Sequence, residues 1–160
     1  MHSKYACLKD AILHQPPLVT SDYVAWIDIG YFRDLEGDNK EYCLLLPPSV
    51  TKSAVLFNQL TVPDFSLTPH DIFYKNFVWV GGGMFVAARD VMLKFCDEYQ
   101  RAATFFLTHR QLSSTDQQTL YASMTYEGRR DVNLTVDIQV EPGEHDWFDL
   151  GLSVLREIDS

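Results

Sequence analysis

An almost uninterrupted apolar segment at residues 23–30, YVAWIDIG, sets the strongest limit on how this chain folds. Its apolar side chains occupy adjacent positions, as Trp26 and Ile27 do, rather than every second position. Such a run is typical of a strand that is covered on both faces, at the centre of a sheet. Gly30 ends the run. We therefore expect a sheet protein with this segment as a central strand.

Three segments have the spacing of apolar residues that is typical of helices. They are residues 3–14, 90–107 and 115–126. The first ends before Pro16, because the residue that precedes a proline is disfavoured in a helix. Ser114 and Gln117 have the spacing of a capping box, which predicts that the third helix begins beside Asp116.

Three further segments have strand patterns. They are residues 54–58, residues 77–88, in which Gly81, Gly82 and Gly83 separate two apolar runs, and residues 132–140, in which apolar and polar residues alternate. The three glycines predict a bend, since glycine adopts conformations closed to other residues. Helices therefore alternate with strands, and the predicted class is α/β, with a mixed, mostly parallel sheet flanked by helices.

The remaining segments predict little regular structure. Residues 31–53 have turn composition with short elements, and residues 61–76 are predicted to be a surface connection. The acid-rich C-terminal part, from residue 137 on, is expected to be partly loose. We expect one domain over residues 1–150, a size that supports a core of its own, followed by an acidic tail over residues 151–160.

The charge of the chain limits its partners. Thirteen Lys and Arg residues stand against 22 Asp and Glu residues, a formal net charge of −9. Such a surface repels a phosphate backbone, so no nucleic-acid partner is expected. A small polyanionic ligand remains compatible if a divalent cation supplies the positive charge.

Other sequence features bear on the location of the chain. No apolar run reaches the length of a membrane helix, so no membrane span is expected. Residues 1–15 have no apolar signal-peptide core, and the expected location is the cytoplasm. The chain has three cysteines, Cys7, Cys43 and Cys96. This odd number favours three free thiols, and the alternative is one disulfide with one free thiol.

Asp28 is the first candidate for chemistry. An acid inside an apolar strand is costly to bury unless it is paired or bound to a metal, and at a strand end it can hold Mg²⁺ or Mn²⁺. Gly30, two positions later, leaves space for a metal and its phosphates. The competing interpretation is a carboxylate that caps a loop or pairs with Arg33.

The glycine triplet and Asp116 are further candidates. Backbone N–H groups at Gly81, Gly82 and Gly83 could approach a sugar or phosphate, or the triplet could be only a tight bend. Asp116 falls in the first turn of a helix, where the helix dipole favours a carboxylate without any function. Its functional interpretation is a general base or a partner of an acceptor hydroxyl.

His145 and the three tryptophans complete the set of candidates. His145 is flanked by acids, which suits a Mn²⁺ ligand, although a histidine in such a position is more often a surface residue. Trp26, Trp79 and Trp147 are typical of core residues. One of them could stack under a sugar ring, and sequence position does not distinguish which.

Taken in order, several segments resemble glycosyltransferases of the GT-A type, and in particular the HtrL (YibB) family of glycosyltransferase-like proteins. The resemblance is carried by Lys4, Leu8 and Ala11, by SDYVAWIDIGYFRD at residues 21–34, by VWVGGGMFVAARDVMLKFCDEY at residues 78–99 and by STDQQTLYA at residues 114–122. It covers most of residues 4–126. The piece WIDIGYFR is its most specific part.

This resemblance implies a GT-A-like (nucleotide-diphospho-sugar transferase) fold, a nucleotide-diphosphate sugar donor, a carbohydrate or glycoconjugate acceptor with a free hydroxyl, and Mn²⁺ or Mg²⁺. It places Asp28 and Gly30 at the family's Asp-x-Asp-like motif, with Asp28 on the metal and diphosphate. Asp116 is implied as the catalytic residue near the acceptor, and His145 as a further metal ligand. Substrate binding is implied for Trp26, Gly30, Arg33, Gly81, Gly82, Gly83 and Gln117.

The chain also departs from the pattern of the family. Gly30 stands in place of a second aspartate, and only 27 residues precede Asp28. The resemblance therefore implies a truncated fold, matching the C-terminal part of the family domain without its nucleoside-binding portion. An open sheet edge and self-association through it are expected. The alternative function is a non-catalytic GT-A remnant that acts as a binding or interaction domain, and a secretory-pathway lumen is expected if the chain is part of a longer anchored protein.

Overall fold

The computed structural model describes residues 2–35, 40–141 and 146–158. The described helices are α1 (Ser3–Leu13), α2 (Pro69–Tyr74), α3 (Arg89–Phe105), α4 (Asp116–Met124), α5 (Tyr126–Val132) and α6 (Asp149–Val154). The described strands are β1 (Tyr23–Ile27), β2 (Tyr42–Leu44), β3 (Ala54–Gln59), β4 (Val80–Ala88), β5 (Asp137–Glu141) and β6 (Leu155–Glu157). A 3₁₀ turn covers Arg33–Leu35, and a π-helical turn, Phe106–Arg110, extends α3.

The main sheet is mixed and has helices packed against it, as predicted for an α/β chain. Its strand order is β1-β4-β3-β5. β4 is antiparallel to both β1 and β3, and only β3 and β5 are parallel. The prediction of a mostly parallel sheet is therefore wrong. An apolar run reads the same in either direction, so strand direction depends on how the connections return to the sheet.

β1 is an outer strand of this sheet rather than a central one. Ala25 and Ile27 are exposed along it, and the strand ends at Ile27, so Asp28 and Gly30 lie in the following loop. The prediction of a central strand over residues 23–30 is wrong for this reason. Self-association through this edge stays a prediction.

β4 is a single strand through the glycine triplet, where a bend between two runs was predicted. Phe57 pairs with Phe85, and the next residue of β3, Asn58, pairs with Gly81. The register therefore skips residues 82–84 of β4. The glycines mark a local irregularity in a continuous strand, which is a common use of glycine within sheets.

The core lies between the sheet and helices α1 and α3. Its centre is a cluster of buried rings that come from α1, β3, β4 and α3: Tyr5, Phe57, Phe85, Phe95 and Tyr99. The rings of Tyr5 and Tyr99 stack with their centroids 3.6 Å apart. Burial of each such ring contributes about 1.5–3 kcal/mol. This cluster holds the N-terminal helix against the sheet and close to the glycine strand.

The helices at 3–14, 90–107 and 115–126 are confirmed with small changes at their ends. The capping box is formed by Thr115 and Gln118, one residue later than predicted from Ser114 and Gln117. Because of this shift the Gln117 side chain is not part of the capping box, although its Oε1 accepts a long hydrogen bond of 3.4 Å from the Thr115 hydroxyl.

Two helices stand where the sequence predicted other structure. α2 lies within the predicted connection at 61–76, with Thr68 as its cap and Pro69 in its first turn. α5 ends at Val132, where a strand was predicted to begin, and β5 starts only at Asp137. Leu134 and Val136 are buried, but they lie in the loop between α5 and β5. The alternation of apolar and polar residues therefore reflects burial in this loop and not a strand.

The C-terminal segment packs onto the sheet. α6 spans the predicted boundary at residue 150, and Leu150, Gly151 and Val154 are buried. Leu150 and Val154 belong to a second cluster with Tyr31 and Met84. β6 pairs with β2 in a small antiparallel sheet. Cys7, Cys43 and Cys96 are free thiols. Among the described residues, no helix is long and apolar enough to cross a membrane.

Candidate functional site

Asp28 lies directly after β1, beside the glycine strand. Its backbone N–H donates to Gly83 O at 2.8 Å, which extends the pairing of β1 and β4 by one residue. Its carboxylate Oδ1 accepts a hydrogen bond from Trp26 Nε1 at 2.5 Å and lies 3.7 Å from Lys4 Nζ. The side chain is 48% exposed. Asp28 is therefore a solvent-facing carboxylate that is fixed through one oxygen.

Lys4 projects from α1 into the space behind Asp28 and is only 6% exposed. Its Nζ donates to Gly82 O at 2.8 Å and lies 3.0 Å from Asp116 Oδ2. A buried ammonium is costly unless it is paired and hydrogen-bonded, and here a carboxylate and a carbonyl satisfy it. Lys4 thus connects α1, β4 and α4 at one point.

Asp116 is the first residue of α4 and is 3% exposed. Besides Lys4, the hydroxyl of Tyr5 donates to its Oδ2 at 3.4 Å. Burial, and then the charge of Asp116, raise the pKa of Tyr5 well above its usual value. Tyr5 therefore stays a protonated donor, and Asp116 is enclosed by its partners.

Two of the three glycines allow this close packing. A Cβ at Gly82 would lie 2.6 Å from Asp116 Oδ2, and a Cβ at Gly83 would lie 3.1 Å from the ring of Tyr31. At Gly81 the nearest atom would be 3.7 Å away, an ordinary contact. Gly82 is thus required by the packing of α4 on β4, and Gly83 leaves room for Tyr31 beside Asp28.

A cavity of about 420 Å³ opens in front of Asp28. It is lined by Asp28, Ile29, Gly30, Tyr31, Arg33, Gly83, Gln117, Trp147 and Phe148. The structure therefore brings five of the predicted site residues to one cavity, namely Asp28, Gly30, Arg33, Gly83 and Gln117. Trp26, Gly81, Gly82 and Asp116 lie outside its lining, and His145 lies outside the described residues.

The far wall of this cavity comes from the C-terminal segment. The hydroxyl of Tyr31 donates to Trp147 O at 3.3 Å and accepts from Gly151 N at 3.3 Å. The ring of Phe148 meets that of Tyr31 edge-on, with centroids 5.1 Å apart. Burial raises the pKa of Tyr31 to about 12, so this hydroxyl is a protonated donor at neutral pH.

Sequence reasoning gave no role to Lys4 beyond the resemblance, and none to Tyr31. A lysine on an amphipathic helix carries no sign that it is buried, and Tyr31 has no sequence spacing to its partners near residue 150. Trp147 lies within an acidic segment of the sequence. A large aromatic residue in such polar surroundings often marks a contact surface, and this pattern could have indicated a role for Trp147.

The described residues fit a divalent cation only in a limited way. No group of three His, Cys, Asp or Glu side chains that could hold a metal occurs among them. Asp28 is the one acidic residue in the described cavity lining, and Asp116 is already paired with Lys4. Mg²⁺ is commonly held by one or two carboxylates together with the phosphates of a substrate. Among the described residues, Asp28 would be the single acidic ligand of a cation here, and its other ligands would have to come from the phosphates of a substrate.

Comparisons with known proteins do not assign this chain to a family. No family model, no curated protein and no solved structure matches this chain. Inference about function therefore starts from the chemistry of the cavity in front of Asp28.

Proposed function

We propose that this chain is a metal-dependent, GT-A-like glycosyltransferase that transfers a sugar from a nucleotide-diphosphate donor to a hydroxyl acceptor. The observation that carries the proposal is Asp28, a half-exposed carboxylate fixed by Trp26 and Lys4 at the mouth of a cavity. The resemblance of residues 21–34 to the family's Asp-x-Asp-like segment supports it.

The charges around the cavity suit a diphosphate that carries a cation. Asp28 supplies a negative charge, and Arg33, exposed in the same lining, supplies a positive one. Arginine pairs well with phosphate oxygens, and a carboxylate suits Mg²⁺ or Mn²⁺. A bound cation would offset the charge that develops on a diphosphate leaving group. In this arrangement Asp28 holds the cation and Arg33 the phosphates.

The buried pair of Lys4 and Asp116 supports Asp28 from behind. Asp116 is 3% exposed and lies 3.0 Å from an ammonium, so its carboxylate is enclosed rather than presented to an acceptor. This geometry favours a positioning role for Asp116 over the predicted general base. Its neighbour Gln117 reaches the cavity lining and is the residue of α4 placed to contact a substrate.

Calorimetric titration tests the proposal. Mn²⁺ alone, UDP or GDP alone, and each nucleotide with Mn²⁺ are titrated into the wild-type chain and into Asp28→Asn. Asp90→Asn is the matched control, since this side chain is 97% exposed and lies outside the cavity. We expect binding that needs both nucleotide and Mn²⁺, that is lost in Asp28→Asn and that is retained in Asp90→Asn.

Two results contradict this function. Unchanged affinity in a folded Asp28→Asn variant removes Asp28 from the site. Failure of the folded wild-type chain to bind any nucleotide diphosphate in Mn²⁺ favours the alternative, a non-catalytic binding or interaction domain. Gly30 in place of a second acid is the observation that supports this alternative.

A further inference from the structure

Trp147 is an exposed aromatic residue in the wall of the cavity. The residue belongs to the lining of the cavity and is 48% exposed. Its backbone carbonyl is held by the hydroxyl of Tyr31. Among the ring pairs formed by the described residues, none includes the indole of Trp147. The backbone of this residue is therefore fixed, and its half-exposed indole has no aromatic partner among the described residues.

The residues beside Trp147 in the cavity wall pack against one another. Phe148 packs edge-on against Tyr31, and the guanidinium of Arg33 lies 5.6 Å from the centroid of the Phe148 ring. Ile29, fully exposed, adds apolar surface to the same lining. Trp147 thus stands in one cavity with Asp28 and Arg33, the two residues proposed to hold a cation and its phosphates.

The other two tryptophans have different surroundings. Trp79 is 4% exposed and packs against Phe65 and Tyr121. Trp26 donates to Asp28, and its ring lies 5.7 Å from the ammonium of Lys4. Neither lines the cavity. Of the three tryptophans that the sequence left undistinguished, Trp147 is the one that belongs to the cavity lining.

We propose that the indole of Trp147 is the stacking surface for the ring that a diphosphate ligand carries, either a sugar or a nucleoside. The cavity would then select ring-bearing diphosphates over bare pyrophosphate. This inference rests on the proposed function, because Asp28 and Arg33 must hold the diphosphate for its ring to reach Trp147.

The physical basis is the burial of two flat faces against each other. An indole is large, rigid and apolar on its faces, so stacking removes surface from water at little cost in side-chain entropy. Loss of an aromatic platform typically weakens the binding of a stacked ring by about 5- to 100-fold. Pyrophosphate has no such face and gains nothing from the indole.

The test compares three ligands in Mn²⁺: pyrophosphate, UDP and UDP-glucose. They are titrated into the wild-type chain, Trp147→Ala, Trp147→Phe and the control Tyr126→Ala, which removes an aromatic ring that is 68% exposed and lies outside the cavity. The bond from Tyr31 to Trp147 uses the backbone carbonyl, so both substitutions at Trp147 preserve it. Thermal unfolding establishes that each variant is folded.

We expect Trp147→Ala to weaken a ring-bearing ligand by at least about fivefold and pyrophosphate by less than about twofold. Trp147→Phe is expected to keep most of the affinity, and Tyr126→Ala all of it. A loss for UDP-glucose alone identifies the sugar as the stacked ring, and an equal loss for UDP identifies the nucleoside. Either result supports the proposal.

Two results overturn it, and they differ from failure of the proposed function. An equal loss for pyrophosphate means that Trp147 only shapes the cavity. Unchanged affinity for all three ligands in Trp147→Ala means that the indole contacts none of them. In both cases the wild-type chain still binds, so the proposed function stands, whereas a folded wild-type chain that binds none of the ligands contradicts both.

Discussion

The ammonium of Lys4 lies 3.0 Å from Oδ2 of Asp116, and both side chains are buried, at 6% and 3% exposure. The pair joins the N-terminal helix to the start of α4 across the glycine strand. It also brings a positive charge to within 3.7 Å of Asp28. One buried ion pair therefore links the packing of three elements to the geometry of the candidate site.

Loss of Lys4 alone is expected to destabilise the fold strongly. Lys4→Met leaves Asp116 buried without its partner, which typically costs about 3–5 kcal/mol. Urea unfolding measures the change. The control is Lys9→Met, whose pair with Asp97 is open to solvent and is expected to contribute little to stability.

The double variant Lys4→Met with Asp116→Asn removes both charges and is expected to recover part of the lost stability. Additive losses in the double variant would show that the two residues do not act as a pair.

Gly82→Ala is expected to be more damaging than Gly81→Ala. A Cβ at residue 82 would lie 2.6 Å from Asp116 Oδ2, so either α4 or the buried pair of Lys4 and Asp116 must shift. This shift is expected to lower the free energy of unfolding by about 1–3 kcal/mol. At residue 81 the nearest atom would be 3.7 Å away, and the change should be small. The free energies of unfolding of the two variants decide the point, and equal values would contradict the described packing of α4.

Gly151→Ala tests how the C-terminal segment is attached. The new Cβ would lie 2.3 Å from Cε1 of Tyr31, a buried ring that cannot simply move away. We expect a loss of about 1–3 kcal/mol and faster proteolysis near α6. Ser153→Ala, at an exposed position of the same helix, should stay within about 0.5 kcal/mol of the wild type. A Gly151→Ala variant as stable and as resistant as the control would rule out this docking.

Glu98 makes stability depend on acidic pH. Burial tends to raise its pKa, but the hydroxyl of Thr135 and the N–H groups of Thr135 and Val136 donate to the carboxylate, and the net result is a lowered pKa. A group whose pKa is lower in the folded state stabilises the fold above its ordinary value, here 4.5, and loses this contribution as the pH falls through the folded pKa.

The measurement is urea unfolding of the wild-type chain and Glu98→Gln at pH 7 and at pH 3. We expect the variant to be less stable than the wild type at pH 7 by about 1–3 kcal/mol. The difference between their free energies of unfolding should be smaller at pH 3. Asp90→Asn, at an exposed position, should show no such pH-dependent gap. A constant difference at both pH values would contradict an ionised Glu98 in the folded state.

Much of the fold was predictable because local patterns report local structure. The apolar face of α3 and the first turn of α4 were readable since helical spacing and capping depend on near neighbours. The direction of β4 and the edge position of β1 could not be predicted, because strand pairing joins residues that are far apart in the chain. α5 was missed for a related reason, since the alternating apolar residues after it are buried in a loop that Glu98 holds.

The candidate site was predictable in part. Asp28, Gly30, Arg33, Gly83 and Gln117 were singled out by residue type and resemblance, and the structure brings them to one cavity. The burial of Asp116 was not predictable, because a carboxylate in a first helical turn is usually solvated and its partner Lys4 comes from the other end of the chain. The prediction for His145 lies outside the described residues.

The sequence was enough to predict an acidic α/β chain, the helices at 3–14, 90–107 and 115–126, and residue types from which a cation and phosphate site can be built. These properties follow from composition and from periodicities that extend over a few residues. The three-dimensional structure was needed to show that Lys4 pairs with Asp116 and that Trp147 lines the same cavity as Asp28. Such contacts depend on which surfaces meet when the sheet closes against its helices, and no local pattern records that.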